Sequence, residues 1–321
     1  LYSQAELGQY FRRISLPAAA HLYDVSSLDA AEQLQHLGLL LRHQLTNIPF
    51  ENLTLHYSTH RVININPKHL FAKIVLQPGR GGYCMENNTL FHTVLLTLGF
   101  DVYLAGARVF EGGGRLTGLS HCLNIVTIGG ERYAVDTGFG PNEPIHPLRI
   151  VEDVVQPHIP PASTRLCLGS IEPALRKDQK LWIHEHRPSE DGAWTPQYCF
   201  SEMEFLPQDF AVMNYFPQTD RATIFTQKLL CVKFTWDEQS FVAPGEDNGS
   251  TASGGVGTQI NGTLILMDDN FKWRKNGEKV FEKKLASEAE RLSVLKEYFG
   301  IELAEADKEA ILGTTLEIQS K

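Results

Sequence analysis

The sequence predicts an α+β fold in which helices come first and strands follow. Three observations carry that prediction. Over residues 1–99 apolar side chains recur every three or four positions, the period of an amphipathic helix. From Asp101 onward they alternate, or run together in short stretches cut by glycine pairs and prolines, as strands do. Beyond about residue 210 the strand texture persists, and one more helical period closes the chain.

Each element has its local reason. "SQAELGQYFRRI" (3–14) opens on Ser3, a good N-cap, and sets Leu7, Tyr10, Phe11 and Ile14 on one face. "SSLDAAEQLQHLGLLLRHQLTNIPF" (26–50) keeps the period through Leu28, Leu34, Leu37, Leu41 and Leu45 until Pro49 stops it. "KHLFAKIVL" (68–76) is a shorter helix candidate. In "CMENNTLFHTVLLTLGF" (84–100), Leu90, Phe91, Val94, Leu95 and Leu98 form an apolar stripe and Gly99 is placed as the C′ residue.

Strands are expected at 101–110, 121–128 and 131–139, then a strand-and-loop region with an irregular excursion at Pro157, Pro160 and Pro161. Further strands are expected at 228–235, 262–267 and 278–283. "APGEDNGSTASGGVGTQ" (243–259) reads as a mobile Gly/Ser-rich loop. The last helix is expected from Ser287, whose Ser-x-x-Glu spacing to Glu290 reads as a capping box, to Gly300.

Composition narrows the function. With 321 residues the chain has room for two or three packed units. A net charge of −9, with short basic groups (Lys272, Arg274 and Lys275; Lys283 and Lys284) standing apart, argues against a nucleic-acid partner. No apolar run reaches the roughly 18–20 residues of a membrane span. The first residues lack both Met and an apolar signal core, which suggests a processed or trimmed start. Five cysteines without paired spacing do not make a disulfide framework, so a reducing cytoplasm is the expected location.

The chemistry concentrates around "RGGYCMENN" (80–88). A cysteine in the first turn of a helix faces free backbone N–H groups and the positive end of the helix dipole, and both favour thiolate. Gly81 and Gly82 are expected to let the backbone turn and a substrate approach. Downstream, "HCLNIVTIGGERYAVDTGFG" (121–140) places the two-residue turn Gly129–Gly130 between two strands. That turn pairs Ile128 with Glu131 and Val126 with Tyr133, and by extension Leu123 with Asp136 and His121 with Gly138. His121 and Asp136 are then same-face diagonal neighbours, about 7–8 Å apart at Cα and within hydrogen-bonding reach. A loop one residue longer or shorter would put them on opposite faces. A thiol, an imidazole and a carboxylate are the parts of a nucleophilic triad: Cys84, His121 and Asp136. The sequence 79–82 lacks the Gly-Lys-Ser/Thr ending of a phosphate loop. Cys84, His92, His121 and Cys122 lack the spacing of a structural zinc site, so no metal is expected.

These stretches resemble the arylamine N-acetyltransferase family. The likeness is carried by "IPFENL" (48–53), "RGGYCMENN" (80–88), "LTGLSHCLNIV" (116–126) and "VDTGFG" (135–140), in the family's order and near its spacings. Weaker likeness extends to "QYFRRI", to 214–235 and to 294–303. The resemblance implies a three-part, cysteine-protease-like architecture: a helical bundle (1–99), a β-barrel (100–210) and an α/β lid (211–321). It also implies acyl transfer from an acyl-CoA, through a thioester on Cys84, to an arylamine or arylhydrazine, with His121 and Asp136 as the other catalytic residues. Phe50 and Phe139 match aromatic walls of the acceptor pocket. Thr117, Gly118, Thr235 and Thr315 match CoA-contacting positions, and Arg80 with Glu51 matches a structural ion pair.

The segment between Gly140 and Asn214 resembles the longer eukaryotic members more than the compact bacterial ones, and the 243–259 loop is an extension beside the expected lid with no counterpart assigned to it. Acetyl-CoA is then the default donor, with malonyl-CoA and propionyl-CoA as alternatives, and Arg108 is either a partner for a malonyl carboxylate or a plain structural arginine. Two other readings of the same residues stay open: a thiol hydrolase or transglutaminase-like enzyme, and a non-catalytic binder of aromatic ligands or CoA.

Overall fold

A computed structural model of the chain describes residues 1–112, 115–237 and 259–319. Helix α1 (Gln4–Arg13) starts where expected: Ser3 Oγ accepts the Glu6 N–H, and Glu6 Oε2 accepts the Ser3 N–H at 2.7 Å. In α2 (Ala30–Asn47) the reciprocal cap is made by Asp29 and Glu32. A two-residue strand, β1 (Phe50–Glu51), follows within the stretch expected to be helical. The 68–76 segment is a short helix, α3 (Pro67–Leu70), that widens into a π turn (Phe71–Val75). Helix α4 (Cys84–Leu98) ends at Gly99, whose φ of 89° makes it a left-handed cap. Leu90, Phe91, Val94, Leu95 and Leu98 are all fully buried, and they join Leu7, Tyr10, Phe11 and Leu41 in one core. Burial of that many apolar side chains, at about 1.5–3 kcal/mol each, holds the three long helices together.

The middle of the chain forms β2 (Asp101–Glu111), β3 (Arg115–Ile128), β4 (Glu131–Val135), β5 (Leu148–Arg149), β6 (Gln156–Pro157), β7 (Ser163–Gly169), β8 (Leu181–Arg187) and β9 (Thr195–Phe200). They make an eight-stranded antiparallel sheet in the order β5-β4-β3-β2-β9-β8-β7-β6. The connection after β5 crosses between its two edges. Ile150 N–H donates to Arg132 O at 2.8 Å on one side, and Asp153 N–H to Leu166 O at 2.8 Å on the other. The sheet therefore curls into a near-closed barrel around Ala105, Leu123, Ile125, Tyr198 and Phe200. β3 begins six residues before the expected start because Arg115–Ser120 pairs with the far end of β2 through two bulges.

The segment after Phe200, where no helix was expected, contains the short helices α5 (Pro207–Met213), α6 (Tyr215–Thr219) and α7 (Ile224–Gln227). Then come β10 (Leu230–Trp236), β11 (Ile260–Met267), β12 (Asn270–Lys275) and β13 (Glu278–Lys284). With β1 they form a second sheet, β1-β10-β11-β12-β13. β12 was not among the expected strands, although "NFKWRK" alternates: Phe271 and Trp273 are buried, and the basic residues face out. Helix α8 (Glu288–Phe299) packs on this sheet through Leu295, Tyr298 and Phe299, and α9 (Glu305–Glu309) follows. Its expected capping box is only half made. Ser287 Oγ accepts the Glu290 N–H, but Glu290 Oε2 reaches past the cap to the Ala286 N–H at 2.8 Å. Of the 243–259 loop only Gln259 belongs to the described residues.

Candidate active site

Cys84 is the first residue of α4, and the loop before it is pinned by buried charge. Arg80 Nε bonds Glu51 Oε1 at 3.0 Å, and Lys73 Nζ bonds Glu86 Oε1 at 2.7 Å. Glu86 Oε2 accepts the Tyr83 N–H at 3.2 Å, closing the first turn. Burial would raise the Glu51 carboxyl, but Arg80 and Lys73 outweigh it and hold it below the ordinary value. For Glu86 burial wins over Lys73, and its carboxyl is raised. Gly81 and Gly82 serve a different need from the expected turn, since neither takes a positive φ. A Cβ on Gly81 would fall 1.9 Å from Pro49 O, and one on Gly82 would fall 2.5 Å from Glu86 Cβ. Both are packing glycines.

The hairpin delivers the other two groups. Gly129 and Gly130 have φ of 59° and 83°, the left-handed pair of a type I′ turn. Ile128 pairs with Glu131 and Val126 with Tyr133, and the ladder ends at Asn124 and Val135. Just beyond it, His121 Nε2 donates to Asp136 Oδ2 at 2.7 Å. That leaves Nδ1 as the ring nitrogen not engaged by Asp136. Burial disfavours the imidazolium, yet Asp136, helped by Cys84, lifts His121 to about 10. Burial likewise works against the Asp136 carboxylate, and His121, Asn88 and the Gly138 N–H together hold it below its ordinary value.

Asn88, one turn after Cys84 on α4, was not singled out by sequence reasoning. Its Nδ2 donates to Asp136 Oδ1 at 2.9 Å and to Cys122 O at 2.8 Å, and its Oδ1 accepts the Thr137 N–H at 3.0 Å. The i, i+4 spacing from the cysteine was the available signal. The Asp136 loop also presses on the nucleophile: a Cβ at Gly138 would lie 2.7 Å from Cys84 Cα. Cys84 Sγ meanwhile rests 3.6 Å from Ser120 O.

Cys84 and His121 open onto a cleft of about 750 Å³. Phe50 and Phe139 are among its walls, as are Thr117 and Ser120. Phe139 stands edge-on to His121 at 5.3 Å and 66°. Two further aromatic walls, Phe216 and Phe225, come from α6 and α7, and Phe225 lies edge-on to Tyr83 at 5.2 Å and 79°. Gly118 is not itself in the lining; it lies in the chain between the lining residues Thr117 and Ser120, with no atom within 4 Å of where a Cβ would be.

Thr235 and Thr315 are not brought into this cleft. Leu230 and Val232 line it, so strand alternation turns Thr235, like Cys231, to the opposite face of β10. Thr315 lines a second cavity, of about 920 Å³, with Ser287 and Arg291; the two spaces share Lys228. Arg108 is outside the lining too, its Nη1 directed to Thr117 O at 3.5 Å. Among the described residues no cluster of His, Cys, Asp or Glu is placed to hold a metal. None of their helices is long and apolar enough to cross a membrane. All five cysteines are free thiols.

Known proteins resemble the chain in sequence and in fold. A family model described as N-acetyltransferase matches residues 33–245. An N-malonyltransferase, FDB2, from Fusarium pseudograminearum is 33% identical over 97% of this chain and 92% of its own. Arylamine N-acetyltransferase 1 from Homo sapiens is 29% identical over 84% of this chain and 88% of its own. The solved arylamine N-acetyltransferase of M. tuberculosis superposes with a TM-score of 0.73 at 27% identity, covering 95% of this chain and 99% of that one. Helical core, near-closed barrel and second sheet together make the three-part α+β architecture of such enzymes, and the chain belongs to the arylamine N-acetyltransferase family of acyltransferases.

Proposed function

We propose that this protein transfers a small acyl group from acetyl-CoA or malonyl-CoA to the nitrogen of an arylamine or arylhydrazine, through a thioester on Cys84. The observation that carries the reading is the His121–Asp136 bond of 2.7 Å beside a cysteine at a helix N-terminus, opening on an aromatic cleft. In the first half, the His121 imidazolium holds on Nδ1 the proton given up by the Cys84 thiol, and the Cys84 sulfur, as thiolate, attacks the acyl carbonyl. The carbon–sulfur bond to CoA then breaks, and the proton passes to the departing CoA thiolate. The Glu86 and Asn87 N–H groups bond Tyr83 O, so the Cys84 and Met85 N–H groups at the start of α4 are the donors this reading assigns to the developing oxyanion. In the second half the amine nitrogen attacks the thioester carbonyl, His121 accepts its proton, and Cys84 leaves.

Asp136 serves both halves by stabilising the imidazolium and fixing which ring nitrogen is free. The acceptor ring is received between Phe50, Phe139 and Phe225, which offer edges and faces to an aromatic plane. Thr117, which lines the cleft with Ser120, and its neighbour Gly118 are the donor-side contacts of this reading. The cations that line the cleft, Arg115 and Lys228, are each paired with a carboxylate, Glu111 and Asp268. Similarity to an N-malonyltransferase and to an arylamine N-acetyltransferase supports both donors.

The test is intact-mass and peptide analysis after incubation with acetyl-CoA, and separately malonyl-CoA, without amine. One acyl group on the Cys84 peptide, discharged by added arylamine, is expected, and the faster donor is thereby identified. No adduct from either donor, with the thiol shown to be free, would sink the reading and bring a thiol hydrolase forward.

A further inference from the structure

The loop after Asp136 is held by buried groups at both ends. At its start Asp136 is bound by His121, by Asn88 and by the Gly138 N–H at 2.9 Å. At its end Glu143 is 2% exposed and turns back into the loop. Its Oε2 accepts the Phe139 N–H at 2.8 Å, and its own N–H donates to Gly140 O at 3.2 Å. Its carbonyl is held in turn by His158 Nε2 at 2.9 Å. Between the anchors stands the Phe139 ring, 5.3 Å from His121 and 5.0 Å from Tyr198. The mechanism above makes no use of Glu143.

We propose that Glu143 is a positioning residue for the acceptor half of the reaction: its buried carboxyl group fixes the 138–140 turn, so that the Phe139 ring is presented edge-on beside His121, where the arylamine is received. The word acceptor rests on the acyltransfer reading; the geometry does not. The titratable groups that face Glu143 are Asp136, His121, Tyr198 and His158. Burial first, and then the Asp136 charge, push its carboxyl well above the ordinary range, against the pull of the Phe139 N–H. Burial, with His186, pushes His158 down to about 4, so near neutrality it is an uncharged donor. A neutral carboxylic acid offers one accepting oxygen and one O–H, the same pair that glutamine offers, while alanine offers neither.

The experiment compares wild type, Glu143→Ala and Glu143→Gln by calorimetric titration with p-toluidine. In parallel, the rate of Cys84 alkylation by iodoacetamide is followed across pH. Glu143→Ala is expected to weaken p-toluidine binding about tenfold, the size of one misplaced aromatic contact. Its alkylation rate and pH profile should stay within about twofold of wild type, because the triad has its own anchors. Glu143→Gln should restore the binding. Unchanged p-toluidine affinity in Glu143→Ala would overturn the proposal. So would a parallel loss of binding and alkylation, a glutamine variant no better than alanine, or wild type that binds no p-toluidine.

If Glu143→Ala does not fold, Glu143→Gln still decides. An alkylation profile superposing on wild type supports a neutral acid, and a shift beyond about half a pH unit reveals a charge at this position and overturns it. Neither readout needs acyl-CoA, so a wild type that never forms a thioester would refute the acyltransfer reading alone.

Discussion

At the scale of single residues, the site depends on one carboxylate deciding the state of one imidazole. His121 is fully enclosed, and burial alone would make it a weak base. Asp136, itself buried, reverses this and lifts it to about 10. Because the folded value lies above the unfolded value of about 6.5, the ion pair's contribution to stability is complete below that pH and is lost as pH rises through about 10. Asp136→Asn should therefore cost more stability at pH 6 than at pH 10, as read by urea denaturation. NMR of the imidazole nitrogens should show the His121 midpoint falling below its ordinary value, since burial then acts nearly unopposed. Turnover should drop about 10³-fold or more. A midpoint that stays near 10 would show that Asp136 is not the cause.

At the scale of elements, two local structures meet edge to edge: the first turn of α4 and the end of the β3–β4 hairpin. The meeting is so close that only glycine fits at its centre. A Cβ on Gly138 would lie 2.7 Å from Cys84 Cα and 3.3 Å from Asn88 Nδ2, and the nearer atom is backbone that cannot swing aside. Gly138→Ala should thus destabilise by about 1–3 kcal/mol and slow Cys84 acylation by spreading helix and hairpin apart. Unchanged denaturation midpoint and acylation rate would mean that the contact relaxes freely. The helix and the hairpin were both legible in the sequence. Ser3, Gly99 and the Gly129–Gly130 turn each specify a local conformation, and period two carries the register as far as the Asn124–Val135 pair, short of the expected Leu123–Asp136 and His121–Gly138 pairs. Beyond it Asn88 and the Gly138 N–H hold Asp136. The short helices α5 to α7 were not legible, because four to seven residues span too few turns to hold a clear period.

At the scale of the whole molecule, the cleft exists because β1, from the helical third, pairs with β10 of the second sheet. Next to that pair Asn52 Nδ2 donates to Phe225 O at 2.8 Å and to Lys228 O at 2.7 Å, and Asn52 Oδ1 accepts the Leu230 N–H at 2.8 Å. These bonds join parts of the chain more than 170 residues apart and hold α7 over the site. Tyr83 OH, next to the nucleophile, bonds Asn214 Oδ1 and ties α5 and α6 down as well. Phe225 therefore stands as a wall facing Phe50 at 6.1 Å. Phe225→Ala should raise the arylamine KM about tenfold in steady-state assays. An unchanged KM would remove α7 from the acceptor wall.

The sequence by itself determined the helix-first order of elements, the cysteine at a helix start, and the register of the hairpin as far as the Asn124–Val135 pair. All of these follow from interactions within a few residues or across one tight turn, where backbone geometry leaves few choices. Tertiary structure alone decided which side chains complete the site. It brought in Asn88, Glu143, Phe216 and Phe225, and it turned Thr235 to the far side of β10 and Thr315 into a separate cavity. Alternation says that Thr235 opposes Val232, but only the pairing of β10 with β1 and β11 says which of its two faces borders the cleft. Such contacts are set by packing between distant segments, and no local pattern encodes them.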